Sequence, residues 1–146
     1  MDIKKWDLRF LELAKNISSW SKDPSTKCGA IIVRPDKTVC SVGFNGFPKG
    51  TDDNIDLYKN RDIKLSRIIH SEMNAILFAC EKLDNYTLYV WPFQPCSRCA
   101  SHIIQVGIKR VVTINPDEDQ KQRWGDSFKE SSKLFENSGV ILDILN

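Results

Sequence analysis

Two short motifs in the middle of the chain limit the possible folds more than any other feature of the sequence. One is His-Ser-Glu at residues 70–72, and the other is Pro-Cys-Ser-Arg-Cys at residues 95–99. Two thiolates two residues apart can reach one metal ion from the first turn of a helix, and an imidazole on another segment can supply a third ligand. Three protein ligands leave the fourth tetrahedral position open for water, which is typical of catalytic zinc. A fold that contains this site must bring the two motifs together.

We expect His70, Cys96 and Cys99 to be the zinc ligands. Pro95 is a good helix opener, and a cysteine at a helix N-terminus meets unpaired backbone N–H groups and the positive end of the helix dipole, which favour the thiolate. Two thiolates and one imidazole suit zinc better than other common ions. Glu72 follows His70 by two residues, so it can accept a proton from water in the open position and pass it on.

Two other interpretations of the cysteine pair agree less well with the rest of the sequence. A redox-active pair favours a thioredoxin-like βαβ context, and a structural four-cysteine site requires a second close pair. The remaining cysteines, Cys28, Cys40 and Cys80, are scattered singly. A purely structural zinc site would also have no use for Glu72 beside an open metal position.

Length and composition indicate a single domain, residues 1–146. With 146 residues and 41% hydrophobic content, the chain can bury a substantial core. We expect no secretory signal and no membrane span, because no long apolar run is present. Five cysteines without a paired framework favour a reducing, cytoplasmic environment. The net charge of +2 is dispersed, which argues against a long nucleic-acid footprint but permits binding of one nucleotide phosphate.

Hydrophobic spacing predicts an α/β fold that begins with a helix and a hairpin. The first helix ends near residue 20 and has its apolar stripe at Trp6, Phe10, Leu13 and Ile17. Strands at 30–33 and 38–44 form the hairpin. A long polar segment follows, which we expect to be irregular and either functional or mobile. One or two of its basic residues could face a substrate phosphate: Lys59, Arg61, Lys64 and Arg67.

The second half of the chain predicts alternating helices and strands. Residues 73–80 are apolar nearly all round, which indicates a buried helix. The remaining elements are a strand at 87–91, a helix ended by Gly107, a strand at 108–114, a polar loop at 115–122, a helix from 126 to 137 and a strand at 140–145. Together these elements predict a mixed five-stranded sheet between helices.

Three segments outside the metal motifs resemble those of one known family. They are Ser-Lys-Asp-Pro-Ser-Thr-Lys-Cys-Gly-Ala at 21–30, Gly-Phe-Asn-Gly-Phe-Pro-Lys-Gly at 43–50 and Ile-Ile-Gln-Val-Gly-Ile-Lys-Arg-Val-Val at 103–112. With His-x-Glu and Pro-Cys-x-x-Cys, the signature of the zinc-dependent base deaminases, the chain resembles the deoxycytidylate (dCMP) deaminases of the cytidine deaminase superfamily. The resemblance implies a three-layer α-β-α cytidine deaminase-like fold with a five-stranded mixed sheet.

The resemblance also implies roles for individual residues. Zinc would be held by His70, Cys96 and Cys99, and Glu72 would move protons while dCMP is hydrolysed to dUMP and ammonia. Asn45 matches the asparagine that contacts the sugar, and the backbone N–H of Ser71 matches the group that holds the pyrimidine O2. The family further implies a homo-oligomer, most often a hexamer, and an allosteric site for dCTP or dTTP to which residues 43–46 contribute.

The sequence departs from the family pattern at three positions that bear on substrate choice. Ser71 replaces a commoner alanine, Phe44 replaces a frequent tyrosine, and residues 91–94 form a loop one residue longer than usual. Other cytosine substrates, CMP or deoxycytidine, therefore remain alternatives, with a nucleic-acid base deaminase less favoured. Trp124 could cover the base or sugar while Arg123 approaches a phosphate, or Trp124 could simply anchor the last helix.

Overall fold

A computed structural model describes residues 3–146 and contains a mixed sheet with helices on both faces. The strand order is β2-β1-β3-β4-β5; β1 is antiparallel to β2 and β3, whereas β3, β4 and β5 are parallel. The elements in chain order are α1 Ile3–Ser18, β1 Gly29–Val33, β2 Val39–Phe44, α2 Ile55–Lys59, α3 Arg61–Arg67, α4 Ser71–Leu77, β3 Thr87–Trp91, α5 Ser97–Gln105, β4 Arg110–Ile114, α6 Glu118–Ser138 and β5 Ile141–Leu145. The predicted five-stranded mixed sheet between helices is confirmed.

The core has two layers because successive strand residues point to opposite faces of the sheet. On one face, α1 packs against Ile31, Tyr89 and Val112. On the other face, α4, α5 and α6 pack against Ile32 and Leu88 and neighbouring residues. None of the helices formed by residues 3–146 has the length and apolar character required to cross a bilayer.

The predicted stripe of α1 is wrong at one position. Phe10 and Ile17 are buried as expected, but Leu13 is 36% exposed and lies at the edge of the contact. Leu11 and Ala14 take its place against the sheet, at 3% and 0% exposure. The contact surface of a helix is wider than the narrow stripe used in the prediction. Which side of that stripe is also buried depends on the sheet against which the helix packs.

Two polar segments predicted to be irregular contain helices. The segment before His70 forms α2 and α3, and residues 118–122 of the loop predicted at 115–122 are the first part of α6. The last helix begins at a capping box rather than at Asp126: the side chain of Asp117 accepts from the N–H of Gln120, and the side chain of Gln120 accepts from the N–H of Asp117.

The predicted buried helix at 73–80 is shorter and more exposed than expected. Helix α4 ends at Leu77, and Leu77 and Phe78 are 60% and 54% exposed. Ala75, on the opposite side, is fully buried against the sheet. The apolar residues of this segment therefore cover both the core and part of the protein surface.

One glycine allows α4 to lie directly on β2. A Cβ atom at Gly43 would be 2.3 Å from the carbonyl oxygen of Ser71 and 2.5 Å from the backbone nitrogen of Ala75. Two residues earlier on the same strand face, the hydroxyl of Ser41 donates to the carbonyl of Ala75 at 2.7 Å. Helix α4 is thus fixed on the strand by close backbone approach and one buried hydrogen bond.

Candidate metal centre and active site

The fold brings the two metal motifs to the same place. Nδ1 of His70 lies 3.3 Å from Sγ of Cys99 and 3.5 Å from Sγ of Cys96. All three ligand atoms lie within 4.8 Å of one another. Two ligands of a tetrahedral zinc ion at ordinary Zn–N and Zn–S distances are separated by roughly 3.5 Å. The three side chains therefore fit a zinc ion, and no other such cluster of His, Cys, Asp or Glu occurs in residues 3–146.

Sheet topology explains why the motifs meet. Because β1 is antiparallel to both neighbours, Gly29 at its start lies opposite Phe44 and Trp91, the last residues of β2 and β3. The segments 21–28, 45–50 and 92–96 therefore leave the sheet at the same end. A two-residue bridge between Gly46 and Ile69, with N–O distances of 3.1 and 2.8 Å, brings the segment before α4 to that end as well.

Each motif lies at the beginning of a helix. His70 is the N-cap residue of α4 and Cys96 is the N-cap residue of α5, both with extended backbone angles. Cys99 lies in the first turn of α5 and is buried. The helix predicted after Pro95 is thus present, although Pro95 itself lies just outside it.

The two thiols have different acidities. A hydrogen bond from Cys99, with a second from His70, lowers the pKa of Cys96 to about 4. The same contact between the sulfurs, together with burial, raises the pKa of Cys99, and the hydrogen bond with Cys96 raises the pKa of His70. Cys96 can therefore provide a thiolate at neutral pH, as a zinc ligand requires.

Glu72 lies beside this cluster with little access to water. It is 5% exposed, and one oxygen accepts a hydrogen bond from the hydroxyl of Ser71 at 2.7 Å. Burial raises the pKa of Glu72, an effect that the nearby charge of His70 opposes. A carboxyl group with a raised pKa can accept and return a proton near neutral pH.

Asn45 is buried and fully engaged with its own chain. Its Oδ1 accepts from the N–H of Cys28 at 2.9 Å, and its Nδ2 donates to the carbonyl of Thr26 at 2.9 Å and to Asp23 Oδ2 at 3.3 Å. These contacts hold the segment before β1. Ser71, also buried, is the first residue of α4, so its backbone N–H has no acceptor within the helix.

Trp124 lies on α6, which begins at Glu118 and not at residue 126 as predicted. Its ring lies 5.9 Å from that of Phe93, in the segment before Cys96. Its indole Nε1 is buried and finds no acceptor among residues 3–146. The guanidinium of Arg123 pairs with Asp119 on the same helix at 3.2 Å.

Gln94, which the sequence analysis did not single out, attaches the segment between β3 and α5 to α6. Its Nε2 lies 3.0 Å from the carbonyl of Phe128, 2.8 Å from the hydroxyl of Ser131 and 3.0 Å from that of Ser132. The side chain is 5% exposed. The loop length marked this segment as unusual, but nothing local indicated which helix Gln94 would contact.

A His-Cys-Cys cluster with a buried glutamate at the end of a mixed sheet is the arrangement of the zinc-dependent base deaminases. The chain belongs to the cytidine and deoxycytidylate deaminase family, whose zinc-binding region matches residues 4–115. The resemblance found in the sequence is therefore confirmed, and zinc is the metal of this family.

Similar proteins cover most of the chain. It is 44% identical to an uncharacterized deaminase encoded in the luxG 3′ region of Aliivibrio fischeri, over 94% of this chain and 92% of the relative. It is 31% identical to the deoxycytidylate deaminase of Homo sapiens, over 95% and 79% of the two chains. The crystal structure of a cyanophage S-TIM5 dCMP deaminase with dCMP and dUMP aligns with a TM-score of 0.74 and 23% identity, over 99% of each chain. This last similarity confirms the three-layer cytidine deaminase-like fold.

Proposed function

We propose that this protein catalyses the zinc-dependent hydrolysis of dCMP to dUMP and ammonia. The observation that carries the proposal is the buried carboxyl of Glu72 beside a His-Cys-Cys cluster of zinc-ligand geometry. A structural zinc site requires no such carboxyl group. The substrate is proposed from the relatives, since the human and Caenorhabditis elegans proteins are named deoxycytidylate deaminase and probable deoxycytidylate deaminase.

In the proposed reaction, His70, Cys96 and Cys99 would hold zinc, which makes water nucleophilic at neutral pH when bound. Glu72 carries the protons. It accepts one from the attacking water and delivers it to N3 of the pyrimidine while the oxygen adds to C4. It then takes the proton of the new C4 hydroxyl and gives it to the C4 amine. The C4–N bond breaks, ammonia leaves and the C4 carbonyl forms, so that water and dCMP become dUMP and ammonia.

Three groups are proposed to hold the substrate. The backbone N–H of Ser71 donates to the pyrimidine O2. Asn45 forms the sugar side of the pocket; because its polar atoms already have protein partners, its main effect is to hold the backbone at 26–28 in place. Trp124, whose ring lies against that of Phe93, donates its unsatisfied indole N–H to the substrate, which requires the side chains that bury this nitrogen to move when the substrate binds.

A deamination assay on the zinc-loaded protein tests the proposal. Dilute protein would be supplied in turn with dCMP, CMP, deoxycytidine, dCTP and a cytosine oligonucleotide, and loss of the cytosine absorbance would be followed. We expect turnover of dCMP far above the others, and loss of about 10²–10⁴-fold in kcat in Glu72→Gln with zinc retained. Turnover of deoxycytidine but not dCMP would reject the substrate, and full activity of Glu72→Gln would reject the mechanism.

Further expectations of the sequence analysis are also proposals. We propose one domain over residues 1–146, a homo-oligomer that is a hexamer by family resemblance, and regulation by dCTP and dTTP. Large exposed apolar side chains support self-association, since Trp20, Leu77 and Phe78 are each more than half exposed. A cytoplasmic location is supported by five free thiols. Light scattering and assays with added triphosphates would test the oligomer and the regulation.

A further inference from the structure

A buried carboxylate organises the loop that leads into β1. Asp23 is 2% exposed. Its Oδ1 accepts from the N–H of Ser25 at 2.8 Å and of Thr26 at 3.3 Å. Its Oδ2 accepts from the side chain of Asn45 at 3.3 Å. One side chain therefore holds both the backbone of this loop and the residue proposed to form the sugar side of the pocket.

The counter-charge of Asp23 comes from a distant part of the chain. Nζ of Lys64, on α3, lies 2.9 Å from Oδ1 and 2.8 Å from Oδ2 of Asp23, and the Lys64 side chain is only 19% exposed. No residue of α3 is buried in the described structure. The helix is therefore attached to the rest of the protein through this ion pair more than through apolar packing.

The loop held by Asp23 is close to the reacting groups. It ends at Cys28. The next residue, Gly29, lies opposite the last residues of β2 and β3. The backbone N–H of Cys28 donates to Oδ1 of Asn45 at 2.9 Å, and Asn45 in turn donates to Asp23, so the end of the loop is joined to the Asp23 network.

We infer that Lys64 is a positioning residue of the proposed reaction: by pairing with Asp23 it holds Asn45 and the backbone of residues 25–28 in the geometry that accepts the nucleotide. The inference rests on the proposed function. Without Lys64, a carboxylate that is almost inaccessible to water has no counter-charge and must turn towards solvent or change its local structure. Either movement releases the amides of Ser25 and Thr26 and removes one partner of Asn45.

The same contacts distinguish this role from direct phosphate binding. The sequence offers Lys64 as one of four candidates for contact with a substrate phosphate, but both oxygens of Asp23 bind its Nζ. Replacing a residue that binds the substrate phosphate weakens the binding of phosphorylated substrates only. Replacing a residue that positions the loop changes the dynamics of that loop even without substrate.

The chain offers a matched control. Lys22 pairs with Asp53 at 2.8 Å and connects the same two parts of the chain, the loop before β1 and the segment before His70. This second pair is exposed to solvent, with side-chain exposures of 61% and 51%. Solvent-exposed ion pairs contribute little to the stability of the folded protein. Lys22→Met therefore removes the same charge as Lys64→Met without removing a buried contact.

The test combines hydrogen exchange with steady-state kinetics on the zinc-loaded protein. Lys64→Met should accelerate amide exchange in residues 25–28 and 61–67 and raise KM for dCMP about tenfold or more, with a smaller change in kcat. Lys64→Arg should restore most of the KM, and Lys22→Met should behave as the wild type. If Lys64→Met does not fold, Asp23→Asn, which keeps the size of the side chain, should give the same exchange pattern.

Wild-type exchange in the 25–28 loop of the folded Lys64→Met or Asp23→Asn protein would overturn the inference. So would equal effects of Lys22→Met and Lys64→Met, or a raised KM in Lys64→Met with unchanged exchange, the result expected of a phosphate ligand. If the wild type does not deaminate dCMP, the proposed function fails, and the exchange comparison still decides whether Lys64 holds the loop.

Discussion

Replacement of Gly43 by alanine should damage the active site although Gly43 contacts none of the reacting groups. The added methyl group would lie 2.3 Å from the carbonyl oxygen of Ser71 and 2.5 Å from the backbone nitrogen of Ala75. Both obstacles are backbone atoms of α4, so no side chain can rotate to make room. The helix must move away from β2 by roughly 1 Å to restore ordinary contact in a close-packed interior.

This displacement has two calculable consequences. Overpacking of this kind destabilises a protein by about 1–3 kcal/mol. Helix α4 carries Glu72 and begins directly after His70, so the same movement shifts a proposed proton carrier and a zinc ligand together. A misplacement of about 1 Å in a catalytic group costs on the order of a hundredfold in rate. We therefore expect kcat/KM for dCMP to fall by about that factor.

Urea unfolding and initial rates on the zinc-loaded protein would measure both effects. Gly125→Ala is the matched control, because Gly125 lies inside α6 and a Cβ there meets nothing within 4 Å. It should stabilise the protein by roughly 0.5–1 kcal/mol through reduced backbone entropy. Wild-type stability and activity in Gly43→Ala would refute the argument that close approach of β2 and α4 fixes the site.

Three further predictions concern the metal, the pocket and the core. Cys99→Ala should lose bound zinc, measured by metal analysis after dialysis, and with it all turnover, because two ligands hold zinc poorly. Trp124→Phe keeps an aromatic ring beside Phe93 but removes the indole N–H; KM for dCMP should rise about fivefold while thermal stability is unchanged or slightly higher, since a buried donor without an acceptor is lost. Arg110→Met should destabilise the protein by about 3 kcal/mol in urea, because Arg110 binds buried Asp7 through two nitrogens at 2.9 and 2.6 Å. Burial opposes ionisation of Asp7, but hydrogen bonds from Arg110 and Tyr89 lower its pKa below 3.8; the stabilisation is therefore present above about pH 4 and is lost as the pH falls through the folded-state pKa. The free energy of unfolding should depend less on acidic pH in Arg110→Met than in the wild type. An equal dependence in the two proteins would contradict its attribution to the Arg110–Asp7 pair.

Much of the fold could be predicted because its signals are local. Alternating and continuous apolar runs located all five strands to within two residues at either end. Gly107 and Gly139 end helices with φ angles of 90° and 82°, which glycine adopts readily. Spacing and chemical type alone singled out His70, Cys96 and Cys99, because two cysteines two residues apart together with a histidine are a typical set of zinc ligands.

The errors arose where local signals were weak or ambiguous. The start of α6 is polar, so hydrophobic periodicity predicts a loop there, although Asp117 and Gln120 form a capping box, which is a local signal for the start of a helix. Helices α2 and α3 have asparagine N-caps at Asn54 and Asn60, but they are short and bury little, so hydrophobic periodicity could not find them.

The sequence by itself determined which elements form and which residues can hold zinc, because helix caps, strand alternation and ligand spacing depend on neighbours along the chain. Only the tertiary structure decided which polar groups meet across long separations. Lys64 is paired with Asp23, Gln94 binds α6, and Arg110 reaches Asp7 near the start of the chain. These contacts depend on strand order, register and close approach such as that of Gly43 to α4, and such geometry exists only after the sheet and helices have packed.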